Sequence, residues 1–198
     1  WSYGLEPTHH TGGRASYAFG DMVSVSVGLL NAIYQQDVTN PSNSEVGDNA
    51  VEAGVTVTPV KGLSLSAAYY NDQQGHGKAD DQSFLNVIAS YSITNAVSVA
   101  LSYDNRSDGN TDADKVSAIA AYANYALSDK YRLGLRLEER NEKDKSFQDI
   151  QSATLVFGYS PVKSFELRTE VYDDKFKKTS LIKSDSDIGG GLQGVFKF

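Results

Sequence analysis

The chain contains no cysteine among its 198 residues. Disulfide frameworks, thiolate metal centres and thiol nucleophiles are therefore excluded. No run of about 18 apolar residues occurs either, so no helix of this sequence is predicted to span a bilayer. Positive charge is also scarce, because 18 Lys and Arg face 25 Asp and Glu and the formal net charge is −7. Nucleic-acid binding is not expected, since it requires a basic face that replaces phosphate counterions.

The sequence has, instead, a period of two along almost its whole length. Val23, Val25 and Val27 alternate with Ser24 and Ser26, and the same pattern recurs in later segments. Such alternation places one kind of side chain on each face of a β-strand. We predict about twelve strands, at residues 1–6, 14–19, 22–34, 49–59, 63–72, 82–93, 97–106, 115–127, 131–140, 150–159, 165–173 and 188–198. A membrane-spanning strand needs only about 10 residues and is apolar at every second one, so these segments could cross a bilayer.

The predicted connections alternate between short turns and long polar loops. Residues 20–21, 60–62 and 128–130 form short turns, whereas residues 35–48 and 174–187 form long loops. An up-and-down meander with all long loops at one end is typical of outer-membrane barrels. We therefore predict an all-β, antiparallel up-and-down transmembrane β-barrel that forms a single domain over the whole chain.

Aromatic residues on the predicted apolar face lie near the strand ends. Those at the short-turn end are Phe19, Tyr91, Tyr125, Tyr131, Tyr159, Phe165 and Phe198, and those toward the long-loop end are Tyr3, Tyr69 and Tyr103. Amphipathic aromatics at both rims match the girdles found at bilayer interfaces. A soluble β-sandwich is the alternative interpretation, but its aromatics would cluster in the middle of the core.

The opposite face is polar and often charged. Arg132, Arg136 and Glu138 share one face of a strand, and charges at such spacing cannot lie in an apolar core without partners. They suit a water-containing lumen, where they would either line a conducting path or plug a narrow barrel. The ten candidate pore-lining residues are Arg14, Glu52, Arg106, Arg132, Arg136, Glu138, Arg140, Glu166, Arg168 and Glu170. Six Arg against four Glu predict a slight preference for anions.

The last predicted strand carries a more specific pattern. IGGGLQGVFKF ends the chain on Phe198, with Phe196 in alternate register. This arrangement resembles the C-terminal assembly signal of bacterial outer-membrane proteins. HTGGRASYAFGDMVSVSVGLLNA (residues 10–32) and YSPVKSFELRTEVYDD (residues 159–174) resemble the putative β-barrel porin group. Members of that group are usually longer and this chain begins at Trp1, so we expect it to be processed or to be the C-terminal part of a larger barrel.

The resemblance implies a function and a location. It implies a Gram-negative-type outer membrane, with periplasmic termini, extracellular long loops and passive diffusion of small hydrophilic solutes or ions. The implied partners are outer-membrane lipid, lipopolysaccharide and the barrel-assembly machinery, which would read Phe196 and Phe198. Porins of this kind are often trimers, so a homo-oligomer is one expectation. The alternative function is a non-conducting structural or binding barrel whose long loops contact a partner.

Catalytic, cofactor and metal sites are not predicted. Gly189 to Gly194 match GxGxxG but lack the helix that gives this motif its phosphate-binding geometry. His9, His10 and His76 have no metal-ligand spacing. The acidic stretch 104–114 departs from an EF-hand loop, which leaves only weak cation binding by acidic loops as an open alternative. No nucleophile is paired with a base, so we predict that the protein is not an enzyme.

Overall fold

The described residues form eleven β-strands. The computed structural model describes residues 5–7, 11–31, 33, 50–72, 82–107, 115–143, 149–177 and 185–196. The strands are β1 (Gly12–Phe19), β2 (Val23–Leu30), β3 (Ala50–Val60), β4 (Leu63–Asp72), β5 (Gln82–Ser92), β6 (Val97–Ser107), β7 (Lys115–Ala126), β8 (Tyr131–Glu142), β9 (Ile150–Val162), β10 (Phe165–Phe176) and β11 (Asp185–Phe196). Within the described ranges, no helix is long and apolar enough to cross a membrane.

All strands belong to one sheet in which each strand pairs with its neighbour in the chain. Every pairing is antiparallel, and the spatial order runs from β1 to β11 without a crossover. The predicted all-β, antiparallel up-and-down fold is therefore confirmed. β1 and β11 are the two edges and do not pair with each other in the described part of the chain, so the sheet is open. Because the strand number is odd, β1 starts at the long-loop end, whereas β11 ends at the short-turn end.

The short turns are stabilised by two kinds of residue. Gly20 and Gly62 adopt φ values of 65° and 87°, which L-residues with a Cβ rarely adopt, so glycine suits both turns. In two other turns, a side-chain hydroxyl forms a hydrogen bond with a backbone amide. The Thr94 Oγ1 accepts a hydrogen bond from the Val97 amide at 3.0 Å, and the Ser128 Oγ accepts one from the Tyr131 amide at 3.3 Å. Such local bonds between a hydroxyl and a nearby amide stabilise a turn.

The strand bounds differ from the prediction mainly at the long-loop end. Most of the first predicted strand lies outside the described residues, and Leu5 and Glu6 belong to no strand. β2 ends at Leu30, four residues before the predicted end, and β11 begins at Asp185, three residues before the predicted start. The alternation continues past the end of β2, but Ile33 lies against the interior of the fold instead of extending the strand.

The two faces of the sheet have opposite chemistry and opposite exposure. Polar and charged side chains on one face, named the polar face, are buried against each other: Glu52, Asp72, Asp104, Glu138, Ser152, Thr154, Glu166 and Asp174. Large apolar side chains on the other face, named the apolar face, are exposed, with Leu192 at 71%. A water-soluble protein has the reverse distribution. This inverted distribution is explained if the apolar face contacts lipid and the polar face contacts water.

Candidate functional site

All ten candidate pore-lining residues lie on the polar face, because residues paired across an antiparallel sheet share a face. β8 carries four of them and β10 carries three, whereas β1, β3 and β6 carry one each. Glu166, at 3% exposure, is the most buried of the ten, and Glu170 is exposed. The charged side chains are therefore concentrated on the part of the face formed by β8 to β10.

An ion pair crosses the polar face of β1 to β3. Arg14 lies opposite Gly28 of β2, and Gly28 lies opposite Glu52 of β3, so the two charged residues are two strands apart. The Arg14 Nη2 donates to the Glu52 Oε2 at 2.7 Å, and the Arg14 Nε donates to the Oε1 of the same carboxylate. A Cβ at Gly28 would lie 2.5 Å from that Oε1. The missing side chain of Gly28 thus provides the space for a bidentate ion pair over the middle strand.

The same arrangement occurs at β8 to β10. Gly158 of β9 lies between Arg132 and Arg168, its partners on the neighbouring strands. The Glu166 Oε1 accepts hydrogen bonds from the Arg132 Nη2 at 2.5 Å, the Arg132 Nε at 3.1 Å and the Arg168 Nε at 3.2 Å. A Cβ at Gly158 would lie 2.9 Å from the Arg132 Cγ, so the missing side chain of this glycine again leaves space for the arginine. One carboxylate therefore serves two guanidinium groups.

Further along β8, opposite charges alternate on the polar face. The Arg136 Nε lies 3.7 Å from the Glu138 Oε2, and the Arg136 Nη2 donates to the Thr154 Oγ1 at 3.2 Å. The Arg140 Nη2 forms an ion pair with Glu142. The Nε atoms of both arginines are buried without a hydrogen-bond partner among the described residues. These two Nε atoms are therefore held inside the column of alternating charges and are not accessible to a solute.

Grooves indent the polar face of the described residues, and two of them lie along the strands. The first has a volume of about 270 Å³ and is lined mostly by small side chains of β1 to β5, with Arg14 and Glu52 at its border. We name it the hydroxyl groove, after Ser16, Ser24, Ser26, Thr56 and Ser66. The second, of about 220 Å³, lies on β7 to β10 and is named the arginine groove, after Arg132, Arg136 and Arg168. Its lining is completed by Tyr122, Asn124, Gly134, Leu135, Thr154, Val156 and Glu170.

An apolar cluster that the sequence analysis missed lies on the polar face near the long-loop end. This mouth cluster consists of Leu5, Leu30, Ile33, Ala50, Phe84, Val116 and Ala118, with Tyr70 packed against it. Leu5 and Ile33, which lie outside the strands, are 1% and 0% exposed. The sequence did contain a signal of this cluster. Leu30 and Phe84 are apolar residues at positions of the polar face, so they break the alternation. Residues outside the sheet therefore fill part of its polar side.

Carboxylates surround the mouth cluster. The Asp72 Oδ2 accepts a hydrogen bond from the Ile33 amide at 3.3 Å, which holds the chain after β2 over the polar face. The fully buried Asp104 accepts a hydrogen bond from the Asn86 Nδ2 at 2.7 Å. Burial, and secondarily the nearby Asp104 carboxylate, raise the pKa of Glu6 above its ordinary value of 4.5. Glu6 thus lies close to the same carboxylates, next to Leu5 of the cluster.

Aromatic side chains border the apolar face as predicted. Phe19, Tyr91, Tyr125 and Tyr131 at the short-turn end are between 43% and 59% exposed. Tyr131 stacks on Tyr159 with ring centroids 5.0 Å apart. The ring of Phe196, in the predicted assembly signal, lies 4.9 Å from that of Phe165 on the neighbouring strand. Tyr3 and Phe198 lie outside the described residues.

No metal or catalytic centre is found in the described ranges. No group of three or more His, Asp or Glu side chains there could hold a metal ion. His9, His10 and His76 lie outside these ranges, as do residues 108–114 of the acidic loop. The charged groups that the fold brings together are instead arginines and carboxylates in ion pairs. Such an arrangement can create an electric field and donate hydrogen bonds, but it contains no paired nucleophile and base.

Comparison with known protein families gives one result over the whole chain. The model of the family described as "Putative beta-barrel porin-2, OmpL-like" matches residues 1–198. No curated protein matches the chain.

Several solved structures are similar in fold. The outer membrane channel DcaP of Acinetobacter baumannii superposes with a TM-score of 0.71 at 17% identity, over 93% of this chain and 61% of that one. The anion-selective porin from Comamonas acidovorans has a TM-score of 0.70 at 15% identity, over 93% of this chain and 58% of that one. KdgM porin has a TM-score of 0.50 at 14% identity, over 96% and 95% of the two chains. This chain therefore spans about three fifths of the two structures that superpose better.

Proposed function

Because the chain belongs to the family of putative beta-barrel porin-2, OmpL-like proteins, whose model matches residues 1–198, we propose that its polar face lines an aqueous pore through the bacterial outer membrane. Small hydrophilic solutes and ions would cross this pore by passive diffusion. The observation that carries the proposal is the inverted exposure of the sheet, with buried carboxylates on one face and exposed Leu, Val and aromatic side chains on the other.

The pore wall has two parts with different properties. Small hydroxyl-bearing residues of β1 to β5 leave open space along the hydroxyl groove. Long charged side chains of β8 to β10 project from the opposite part of the sheet and supply most of its field. Solutes would therefore be screened by the width of the pore and by the arginines along one side of it.

Anions are the favoured ions in this proposal. Glu166 is shared by Arg132 and Arg168, so its single charge does not neutralise both guanidinium groups. The anion-selective porin from Comamonas acidovorans has a similar fold, which is consistent with this preference. The fold alone does not determine selectivity, so the preference rests on the arginines of β8 to β10. Asp72, Asp104 and Asp174, on the same face, oppose it.

We propose that the long loops are extracellular and the short turns periplasmic, with the end of β11 and its Phe196 and Phe198 presented to the assembly machinery. Outer-membrane lipid and lipopolysaccharide would contact the apolar face. In this orientation β1 starts on the extracellular side. A periplasmic N-terminus therefore requires an odd number of further strands before β1, which would also give the even strand number of bacterial barrels.

Planar-bilayer recording of the refolded full chain tests the proposal. Discrete conductance steps, with a reversal potential in a salt gradient that indicates anion preference, are the expected result. The Arg136→Gln variant should reduce that preference, whereas Lys61→Gln, which removes the same charge from a short turn, should change it less. Cation preference in the unmodified protein would overturn the selectivity proposal.

A non-conducting binding barrel is the second candidate function, and the mouth cluster favours it. Leu5 and Ile33 pack over the polar face and could close the pore at the long-loop end. A folded protein that shows no conductance would support this function. If the double variant Leu5→Ala and Ile33→Ala then conducts, the mouth cluster is the plug. If it also shows no conductance, the barrel is closed elsewhere along its length.

A further inference from the structure

The arginine groove has a regular construction across four strands. Gly134 of β8 forms its floor, between Arg132 and Arg136 on the same face of the same strand. Residues paired across the strands form a row through Gly134. On one side of Gly134 this row contains Asn124 of β7, and on the other side it contains Val156 of β9 and then Glu170 of β10. A Cβ at Gly134 would lie 3.3 Å from the Asn124 Oδ1 and 3.9 Å from the Arg132 Nη1. The absent side chain therefore opens a space beside the Arg132 guanidinium, in a groove that Arg136 also lines.

The arginines of this groove retain donors for a ligand. Each guanidinium has five N–H donors. Arg132 donates to Glu166 through Nε and Nη2, and Arg168 donates to the same carboxylate through Nε. Arg136 donates to Thr154 through Nη2, so these bonds use one or two nitrogen atoms of each guanidinium. Arg14 in the hydroxyl groove likewise donates to Glu52 through Nε and Nη2. The arginine groove therefore contains three guanidinium groups, whereas the hydroxyl groove contains one.

Hydrogen-bond acceptors lie at the two ends of the row. The exposed Glu170 carboxylate would repel a second carboxylate, but it can accept hydrogen bonds from hydroxyl groups. The Asn124 amide and the Tyr122 and Thr154 hydroxyls can both donate and accept. A ligand that fits this pattern carries one carboxylate, for the arginines, and several hydroxyl groups, for the flanking residues. The groove, of about 220 Å³, is open to the polar side of the sheet and brings these groups together in one site.

From this arrangement we infer that the arginine groove is a binding site for a small polyhydroxylated carboxylate. The carboxylate lies over Gly134 between Arg132 and Arg136, and its hydroxyl groups contact Asn124 and Glu170. The inference deepens the proposed pore function and rests on it, because the groove must face the aqueous lumen. A binding site of this kind selects a class of solute, whereas the electric field of the arginines alone would give only a preference for negative charge.

Saturation-transfer NMR on the detergent-solubilised full chain tests the inference without requiring conduction. The probe is D-gluconate, compared with sorbitol, which keeps the hydroxyl groups without the charge, and with hexanoate, which keeps the carboxylate without the hydroxyl groups. Gluconate should bind at least about tenfold more tightly than either compound, since each lacks one half of the recognition. Equal binding of hexanoate would overturn the role of the hydroxyl groups, and equal binding of sorbitol would overturn the role of the arginines.

Two variants locate the site. Arg136→Gln removes a charged donor, and Gly134→Val fills the floor without changing the charge. Each should weaken gluconate binding about tenfold or more. The matched controls are Lys61→Gln, in a turn, and Ala53→Val, on the apolar face, and both should leave binding unchanged. Unchanged binding in both groove variants would overturn the assignment of the site. Binding is measured in detergent and does not depend on conduction. If the protein binds gluconate but shows no conductance, the pore proposal is contradicted and the binding site is not.

Discussion

The Glu52 carboxylate reaches across β2 to bind the Arg14 guanidinium, and the residue between them is Gly28. Arg132 and Glu166 repeat this arrangement over Gly158 of β9. In each case a glycine on the middle strand lets two long side chains meet over the sheet. The ion pairs connect strands that share no backbone hydrogen bonds. They therefore add lateral connections on the polar face, outside the mouth cluster.

The first prediction concerns Gly28. Gly28→Ala would place a Cβ 2.5 Å from the Glu52 Oε1 and 2.6 Å from its Cγ, so the carboxylate must leave Arg14. We expect the unfolding free energy to fall by about 1–3 kcal/mol, the range for overpacking and for a lost bond between charged groups. Urea unfolding in detergent or lipid measures it. Gly13→Ala is the matched control, since a Cβ there meets nothing within 4 Å, and equal losses in both variants would refute the explanation.

The second prediction compares the two arginines that share Glu166. Arg132 bonds this carboxylate through two nitrogen atoms, whereas Arg168 bonds it through one. Arg132→Gln should therefore lower the unfolding free energy by about 1–3 kcal/mol, and Arg168→Gln by less. Glu166→Gln should lower it too and should also raise anion selectivity, because two guanidinium groups lose their counter-charge. A double-mutant cycle between Arg132 and Glu166 with no coupling would contradict this account.

The third prediction concerns the contact between Tyr172 and Gly189 on β10 and β11. A Cβ at Gly189 would lie 2.2 Å from the Tyr172 Oη and 2.3 Å from its Cζ, so the ring must move in Gly189→Ala. At Gly191, two residues further along the same face, the closest atoms are 3.8 Å away. Gly189→Ala should lower the temperature at which heating shifts the mobility of the protein on gels, and Gly191→Ala should not. The additional change Tyr172→Ser should restore it; if it does not, the ring is not the obstacle.

The sequence was sufficient to predict the strands and the faces, but not the contacts between distant strands. Alternation identified all eleven strands of the described residues, and every strand end except that of β2 lies within three residues of the prediction. The pattern is this clear because lipid on one side and water on the other impose a period of two. The partnership of Arg14 with Glu52 was not predictable, because it depends on the register of three strands. The mouth cluster was missed for another reason. Leu5 and Ile33 continue an alternating pattern, yet they pack onto the polar side of the sheet.

The last prediction concerns the dependence of the mouth cluster on pH. Glu6 is next to Leu5, and burial together with Asp104 raises the pKa of its carboxyl above 4.5. In a released segment this carboxyl would return to its ordinary pKa. Packing of the segment therefore takes up a proton, so it becomes more stable as the pH falls through the raised pKa toward 4.5 and does not change further below that value.

We accordingly expect that lowering the pH from about 8 to about 5 stabilises the packed segment and reduces conductance at the long-loop end. Glu6→Gln removes the charge at every pH, so its conductance should be low throughout and nearly independent of pH in this range. Glu142→Gln, which lies on the polar face of β8 in another ion pair, is the control for a general loss of negative charge. An unaltered pH dependence in Glu6→Gln would show that another group controls the mouth.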